Sequence, residues 1–310
     1  MNFLITGGAG FLGAALSNRL LRQGHHVRVL DDLSTGNPDA LDPEVHFTRG
    51  DINDRPKLWT LLQDIDCVYH MAARVSVPES ILFPRDYTAV NVAGTVNLME
   101  AARDAGTPKV VLASSGAVYG EQKQPMMTED LAPHPGSPYA VSKLSAEWYV
   151  RTIGALSGIQ TLCLRIFNAY GPGQHIPVSH PPVIPNFIRQ SLQNGTLVFH
   201  GDANQTRDYV YVDDVVNALV AAASAQGING MVINVGSGSE TSIRDLANVV
   251  IKVTGGNPEE VYNTRISGGV SRMCADLTLA KEKLDYIPLV PLEMGIRLTL
   301  EHNTQLKNGL

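Results

Sequence analysis

The chain has 310 residues, a hydrophobic fraction of 44% and a charged fraction of 17%. These values are typical of a globular protein and exclude a disordered or collagen-like chain. Its 24 basic and 30 acidic residues give a net charge of −6, so we expect no nucleic-acid partner. The sequence contains no apolar run of membrane-spanning length, and Met1–Thr6 lacks a basic leader, so we expect neither membrane association nor a signal peptide. The three cysteines are far apart and odd in number, which predicts reduced thiols and a cytoplasmic location.

Short apolar runs alternate with longer helical patterns through the first half of the chain. The strands predicted from these runs are Asn2–Thr6, Val27–Asp31, Val45–Thr48, Cys67–His70, Lys109–Ser114 and Gln160–Ile166. The helices predicted between them are Phe11–Gln23, Tyr87–Ala105 and Pro138–Leu156. Buried strands separated by helices indicate right-handed βαβ units, which predicts an α/β fold with a Rossmann-type, doubly wound parallel sheet.

The second half of the chain has shorter elements. Gly171–Pro185 is rich in proline and predicts a loop. The predicted helices are Asn186–Asn194, Asp213–Ala225, Ser242–Thr254, Leu277–Leu284 and Leu292–His302, with a strand at Met231–Val235. We expect this half to form a smaller α/β lobe packed on the sheet, and the tail Asn303–Leu310 to be frayed.

A glycine-rich turn, Gly7–Gly13, joins the first predicted strand to the first predicted helix. Gly7 permits a tight turn, Gly10 lets the backbone approach a pyrophosphate, and Gly13 lets the helix pack against the sheet. The start of the helix offers unpaired N–H groups and positive potential to the phosphates. An ordinary flexible turn is the alternative, but a strand and a helix flank this one as dinucleotide binding requires.

Two acidic residues follow the next two strands. Asp31 lies about 20 residues after the turn, where a carboxylate binds the ribose hydroxyls of adenosine. A carboxylate repels a 2′-phosphate, so we predict NAD rather than NADP. Asp51 either accepts a hydrogen bond from the adenine amine or caps the helix after it, and the sequence leaves both interpretations open.

Tyr139 and Lys143 lie four residues apart near the start of the helix Pro138–Leu156, so they share a face. A nearby ammonium and the positive end of the helix lower the pKa of a phenol from about 10. We expect such a pair to move a proton to or from a hydroxyl group near neutral pH. Ser114 and Ser115 end a strand at the edge where open α/β sheets bind ligands. The alternatives are an exposed Tyr and Lys on a helix face and a serine-rich turn.

Gly236–Ser239 follows a predicted strand and imitates a second nucleotide-binding turn. It lacks a third glycine, and Ser242 with Asp245 forms the pattern of a helix capping box. We therefore interpret this turn as structural. We predict no metal site, because His25–His26 and the pair His175/His180 lack the helical spacing and the carboxylate that such sites use.

Seven segments, in order along the chain, resemble motifs of the extended short-chain dehydrogenase/reductase superfamily and of its NAD-dependent epimerase/dehydratase branch. They are Thr6–Gly13, His70–Ala73, Asn91–Thr95, Ser114–Gly120, Tyr139–Lys143, Arg165–Pro172 and Arg207–Asp214. The resemblance spans nearly the whole chain. It implies a mainly NAD-binding Rossmann domain over residues 1–166 and a mainly nucleotide-sugar-binding lobe over residues 167–310.

The resemblance also implies roles for single residues. Tyr139 is expected to be the acid/base, Lys143 to orient it and hold the nicotinamide ribose, and Ser115 to steady a sugar hydroxyl. The residues expected to bind NAD are Gly7, Gly10, Phe11, Leu12, Gly13, Asp31, Asp51, Ile52, Ala72, Arg74, Asn91, Tyr139 and Lys143. The residues expected to bind a UDP-sugar are Ser115, Asn168, Val183, His200, Arg207, Arg272 and Met273.

The residues after Ser115 distinguish reactions within the branch. In dehydratases of this branch the corresponding Ser or Thr is followed by Asp-Glu, because elimination of water needs further acid/base groups. In this sequence Gly116 and Ala117 follow Ser115 instead. This segment resembles that of UDP-hexose 4-epimerases. It implies C4 epimerisation through a 4-keto sugar, with NAD retained. The alternatives are a 4,6-dehydratase, a uronate decarboxylase or epimerase, a reductase and a non-catalytic nucleotide-sensing protein.

Some positions depart from the family pattern. Gly269 stands where the family has Asp, and the second diphosphate arginine is out of register, with Arg265 or Arg272 as its replacement. Met273 falls where the family gates the 2-substituent of the sugar, and it does not decide whether an N-acetyl group fits. The family further implies a homodimer formed by the helices near residues 87–105 and 138–156.

Overall fold

The computed structural model describes residues 1–177, 179–263 and 269–302. Arg265 and the tail 303–310 therefore lie outside the described residues. The strands are β1 (Asn2–Thr6), β2 (His26–Asp31), β3 (His46–Arg49), β4 (Cys67–His70), β5 (Lys109–Ser115), β6 (Gln160–Ile166), β7 (Asn168–Tyr170), β8 (Thr196–His200), β9 (Thr206–Arg207), β10 (Tyr209–Tyr211), β11 (Met231–Val235), β12 (Thr241–Ser242) and β13 (Glu259–Asn263).

The helices lie between these strands. They are α1 (Phe11–Arg22), α2 (Arg55–Leu61), α3 (Val77–Leu82), α4 (Pro84–Tyr87), α5 (Gly94–Asp104), α6 (Pro138–Ser157), α7 (Val183–Leu192), α8 (Val212–Ser224), α9 (Ile243–Thr254), α10 (Thr278–Leu284) and α11 (Leu292–His302). Shorter 3₁₀ turns lie at Pro38–Ala40 and Gly116–Tyr119.

A seven-stranded parallel sheet in the order β11-β6-β5-β4-β1-β2-β3 forms the centre of the molecule. Phe3 and Ile5 of β1 face one apolar core with α1 and α8, whereas Leu4 faces a second core with α2, α5 and α6. Helices on both faces explain why the strands are apolar along their whole length. The sheet confirms the predicted Rossmann-type fold, and its strand order reverses between β1 and β4, where such sheets bind ligands.

The second half of the chain contributes to this sheet as well as to smaller ladders. β11 pairs with β6, and α8 packs against α1, where Arg19 Nη1 donates to Asn217 Oδ1 at 3.1 Å. The remaining strands form the pairs β7–β10, β9–β12 and β8–β13. The chain thus crosses back to the sheet after leaving it, and the division at residue 166 stays a prediction.

Two predicted elements differ from the structure. The helix predicted over Tyr87–Ala105 is divided into the end of α4, a π-helical turn at Thr88–Ala93, and α5. Helix α7 begins at Val183, inside the segment predicted as a loop. Pro185 is accommodated there because the first-turn N–H groups of a helix have no intrahelical partner.

Candidate active site

The turn between β1 and α1 is too tight for any side chain at two of its glycines. Gly7 has φ of +69°, and a Cβ there would lie 2.6 Å from the Ala72 nitrogen; at Gly13 a Cβ would lie 2.1 Å from the Gly7 carbonyl oxygen. Helix α1 starts directly after Gly10 and carries no acidic residue in its first turn. The N–H groups of Phe11 and Leu12 therefore lie at a helix start that can receive a diphosphate.

Asp31 lies beside this turn at the end of β2, and 7% of it is exposed. Its Oδ2 accepts from the Ala9 N–H at 3.0 Å and its Oδ1 from the Leu33 N–H at 2.9 Å. Burial raises the pKa of Asp31, and these N–H groups oppose the rise. Each carboxylate oxygen has a second lone pair, so the group can also accept ribose hydroxyls. The turn and Asp31 together fit the adenosine diphosphate half of NAD.

Asp51 is exposed and does not cap the helix that follows. Its Oδ1 accepts from the N–H and the side-chain amide of Asn53 at 2.8 and 3.0 Å, whereas Asp54 is the N-cap of α2. The helix-cap interpretation of Asp51 was wrong, because α2 begins at Arg55 and Asp54, directly before it, is the residue that caps the helix. Ile52 is buried against Gly94. An adenine contact of Asp51 stays a prediction.

Asn91 lies on the π-helical turn and binds the segment that follows β4. Its Oδ1 accepts from the Arg74 N–H at 2.8 Å, and its Nδ2 donates to the Arg74 carbonyl at 3.0 Å and to Ser142 Oγ at 2.9 Å. Arg74 Nη1 pairs with Glu79 at 3.2 Å. Asn91 thus joins this segment to α6, and a direct contact of either residue with NAD stays a prediction.

Tyr139, Ser115 and Lys143 come together at the carboxyl end of β5. Ser137 caps α6, which begins at Pro138, and this places Tyr139 in the first turn. Tyr139 and Lys143 are 8% and 5% exposed, so the alternative of an exposed Tyr and Lys is wrong. The Tyr139 hydroxyl lies near Ser115, whose Oγ accepts from the Ala117 N–H at 3.2 Å.

The pKa of Tyr139 differs from the sequence-based expectation. Burial raises the pKa of Tyr139, and the nearby Ser115 hydroxyl opposes the rise only in part. We expected a lowered pKa from the spacing to Lys143, but spacing does not report that the phenol is enclosed. Burial also lowers the pKa of Lys143 to about 8, against the charge of Glu147, which raises it.

His70 is a site residue whose role the motif did not reveal. Its Nδ1 is bonded to Thr6 Oγ1 at 2.8 Å and its Nε2 to Thr95 Oγ1 at 2.9 Å. Burial, followed by the charge of Lys143, lowers the pKa of His70 to about 3, so the ring is neutral. This neutral ring joins β1, β4 and α5 beneath the glycine-rich turn.

Asn168 and Arg207 lie on short strands flanking Asp208. Asn168 N and Nδ2 both donate to the Asp208 carbonyl, at 3.0 and 3.1 Å. Arg207 Nη1 donates to the Val270 carbonyl at 2.7 Å. Met273 is buried with Val118, Tyr119 and Phe167, just behind the 3₁₀ turn that Ser115 caps. A contact of Asn168, Arg207 or Met273 with a substrate stays a prediction.

The other predicted substrate residues lie farther out on the lobe. Arg272 is half exposed and makes a two-pronged ion pair with Glu240 at 2.8 and 2.6 Å. Val183 begins α7, and His200 ends β8 with its side chain exposed. A contact of these three residues with a substrate stays a prediction.

The second glycine-containing turn is filled by a side chain of the protein. Asp208 is fully buried and accepts from the N–H groups of Ser237, Gly238 and Ala275 at 2.6 to 3.1 Å, and from Ser237 Oγ at 2.7 Å. The backbone donors that would bind a phosphate are therefore used internally, as a structural role for this turn requires.

The described residues offer neither a metal-binding cluster nor a membrane-spanning helix. Residues 1–177, 179–263 and 269–302 contain no group of three or more His, Cys, Asp or Glu side chains that could hold a metal ion. No helix in these described ranges is long and apolar enough to cross a membrane. Cys67, Cys163 and Cys274 are unpaired and buried.

The chain is similar to known proteins over nearly its full length. Residues 3–236 match the family model of the NAD dependent epimerase/dehydratase family. A UDP-glucose 4-epimerase of Mycolicibacterium smegmatis is 39% identical over 309 residues, which cover 97% of this chain and 98% of the relative.

Two solved structures are similar in fold and sequence. A UDP-glucose 4-epimerase from Thermotoga maritima with UDP-glucose has a TM-score of 0.93 and 35% identity, covering 97% of this chain and 98% of that chain. A UDP-glucuronic acid 4-epimerase from Bacillus cereus, in complex with UDP-glucuronic acid and NAD, has a TM-score of 0.91 and 34% identity, covering 99% and 100%. The glycine-rich turn and the Ser115–Tyr139–Lys143 trio agree with these matches, and the chain belongs to the NAD-dependent epimerase/dehydratase family.

Proposed function

We propose that the protein catalyses the NAD-dependent C4 epimerisation of a UDP-hexose of the UDP-glucose/UDP-galactose type. The observation that carries this proposal is the placement of the Tyr139 phenol beside Ser115 and on the same helix face as buried Lys143, at the sheet edge where open α/β sheets bind ligands. The proposal is supported by two relatives, the 4-epimerases of M. smegmatis and T. maritima, that carry this activity in their names.

The trio has the groups that the proton transfer needs. Tyr139 takes the proton of the C4 hydroxyl while Ser115 Oγ holds the reacting oxygen by a hydrogen bond. The ammonium of Lys143, on the same helix face, stabilises the phenolate that burial disfavours. NAD, which the Gly7–Gly13 turn and Asp31 would hold, would supply an acceptor and then a donor for the C4 hydride. Tyr139 then returns the proton.

The segment after Ser115 disfavours a dehydratase. Gly116 and Ala117 supply no carboxylate for the elimination of water. A Cβ at Gly116 would already lie 3.1 Å from the ring of Phe167, so a carboxylate side chain there would have to displace this ring. A uronate substrate remains a second candidate, because the B. cereus relative is named for UDP-glucuronic acid.

The proposed reaction is tested with Tyr139→Phe, assayed by proton NMR of UDP-galactose. Loss of the acid/base group should lower kcat by roughly 10²- to 10⁴-fold. Tyr149→Phe is the matched control, since Tyr149 lies on the same helix and is 45% exposed. Equal activity of Tyr139→Phe and wild type would contradict the role of the phenol.

We also propose that the protein is a homodimer. Trp148 and Val141 on α6 are 65% and 49% exposed, and Ile81, Leu82 and Phe83 at the end of α3 are 52 to 64% exposed. Burial of such side chains against a second copy is favourable at about 25 cal/mol per Å². The large exposed apolar side chains that accompany those of α6 lie at α3, and not on α5, which is part of the helix predicted for the dimer interface. Mass photometry should show a dimer that Trp148→Glu dissociates, whereas a monomeric wild type would contradict the proposal.

A further inference from the structure

A buried polar cluster lies behind the catalytic end of β5. Ser114, Arg165 and Asn234 are register neighbours on β5, β6 and β11, and all three are at most 5% exposed. Glu147 of α6 is fully buried above them. Its Oε1 accepts from Ser114 Oγ at 2.5 Å and from Arg165 Nε at 3.0 Å, and its Oε2 accepts from Arg165 Nη2 at 2.8 Å.

The cluster continues from the ion pair towards the lobe. The guanidinium carbon of Arg165 lies 4.6 Å from the centre of the Tyr119 ring, and the Tyr119 hydroxyl donates to Asn234 Oδ1 at 2.8 Å. Asn234 Nδ2 in turn donates to the Met127 carbonyl at 2.7 Å. Glu147 therefore joins α6 directly to β5 and β6, and the cluster extends through Arg165 and Tyr119 to Asn234 on β11.

Stability alone does not account for this arrangement. A buried ion pair loses much of its attraction to desolvation, and apolar side chains of similar volume often serve the fold equally well. The position of Glu147 does offer an explanation. It is one helical turn after Lys143 on the same face of α6, and its partner Ser114 immediately precedes Ser115.

We propose that Glu147 is a positioning residue that holds Lys143 and Ser115 in their catalytic arrangement by binding Ser114 and Arg165. The kinetic part of this inference rests on the proposed function. Glu147 itself touches neither substrate nor reacting atoms. It fixes the distance between the helix that carries Tyr139 and the strand that carries Ser115, and small errors in such distances slow a reaction strongly.

Glu147 also acts on Lys143 through its charge. The titratable groups that face Lys143 are Glu147 on its own helix, Cys163 on β6, His70 on β4 and Tyr139. Burial raises the pKa of the Cys163 thiol and lowers that of His70 to about 3, so both are neutral near pH 8. Glu147 is therefore the anion in this set that keeps Lys143 protonated.

The variants must separate positioning from folding. Glu147→Gln leaves the buried charge of Arg165 without its partner and can prevent folding. The double variant Glu147→Leu/Arg165→Met replaces the pair by apolar side chains and keeps the core filled. Ser114→Ala keeps the pair but removes the link to β5. Glu293→Gln is the control, because it breaks an exposed ion pair with Lys252.

The first readout needs no substrate. Titration of the lysine Cε signals by NMR, assigned with Lys143→Arg, should show the pKa of Lys143 about one pH unit lower in the double variant. Glu293→Gln should leave it unchanged. An unshifted Lys143 in the folded double variant overturns the proposal, whatever reaction the protein catalyses.

The second readout is kinetic. With a UDP-sugar that wild type epimerises, the double variant should lose about 10- to 100-fold in kcat with KM within about threefold, and Ser114→Ala should lose less. If the double variant does not fold, an unchanged kcat in Ser114→Ala overturns the proposal. A wild type that epimerises no UDP-sugar contradicts the proposed function, while a shifted Lys143 titration then still supports the role of Glu147.

Discussion

Two glycine-rich turns follow parallel strands of the same sheet, yet only one of them is built to receive a ligand. After β1, Gly7 to Gly13 lead straight into α1, and the first N–H groups of this helix face the sheet edge. After β11, the N–H groups of Ser237 and Gly238 already bind the buried carboxylate of Asp208. A glycine-rich turn is thus a candidate anion site only where no internal carboxylate occupies its donors.

The carboxylates near the two turns differ in the same way. Asp31 accepts from the Ala9 and Leu33 N–H groups through different oxygens, and a carboxylate has further lone pairs for ribose hydroxyls. Asp208 accepts four hydrogen bonds within the protein. The first turn therefore supports binding of NAD, and the second supports the placement of Asn168 and Arg207 on either side of Asp208.

Gly13→Val should break the first turn and have the largest effect. The new Cβ would lie 2.1 Å from the Gly7 carbonyl oxygen, so α1 must move away from the sheet. We expect NAD affinity to fall at least about 100-fold, or about 2.7 kcal/mol. Calorimetric titration of NAD measures this. Gly136→Ala is the control, since a Cβ there meets no atom within 4 Å and the residue has no positive φ; an equal loss in both variants would contradict the packing argument.

Asp208→Ala should break the second turn without removing NAD binding. Three N–H groups lose their buried acceptor, each at a cost of about 1 kcal/mol or more, so we expect a loss of about 3 kcal/mol in the free energy of unfolding. Urea denaturation measures the loss, and NAD titration of the folded fraction checks the affinity. If Asp208→Ala keeps the stability of wild type, or loses as much NAD affinity as Gly13→Val, the claim that the second turn is structural and only the first binds NAD is contradicted.

Asp31→Asn tests whether the carboxylate beside the first turn selects NAD over NADP. The variant keeps the shape of the side chain but removes the charge that repels a 2′-phosphate. We expect the ratio of NAD to NADP affinity to fall about tenfold, which corresponds to about 1.4 kcal/mol. Competition titration with both cofactors measures the ratio. A preference for NAD that does not change would show that Asp31 does not select the cofactor.

The pH dependence of kcat tests the Ser115–Tyr139–Lys143 trio, and we expect it to be the smallest of these effects. Burial favours the neutral amine of Lys143, so its ammonium persists only below a pKa of about 8. If the ammonium supports Tyr139, kcat falls as the pH rises through about 8. The residual activity of Lys143→Arg should lack this alkaline limb, because a guanidinium stays charged. A wild-type kcat that is level up to pH 9.5 would contradict the pKa shift.

The sequence predicted the parts of the molecule that local spacing determines. The strand–turn–helix at Gly7–Gly13 and the helix start that places Tyr139 and Lys143 on one face depend on neighbours along the chain, and the structure contains both. The family and its NAD cofactor followed from these motifs and are confirmed.

Contacts between distant residues could not be predicted in the same way. Arg272 is held by Glu240, 32 positions away, and Glu147 by Arg165 across the helix–sheet interface. The raised pKa of Tyr139 depends on enclosure by the folded chain, and Asn91 on the π-helical turn contacts both Arg74 and Ser142, which are distant in sequence. Periodicity and spacing report none of these distances.

The most direct measurement is proton NMR of the purified protein with UDP-galactose, UDP-N-acetylgalactosamine and UDP-galacturonate in separate tubes, without added NAD. We predict that the protein converts UDP-galactose to UDP-glucose with NAD that it retains through purification. No conversion of UDP-galactose, even after NAD is added, would contradict the proposed function.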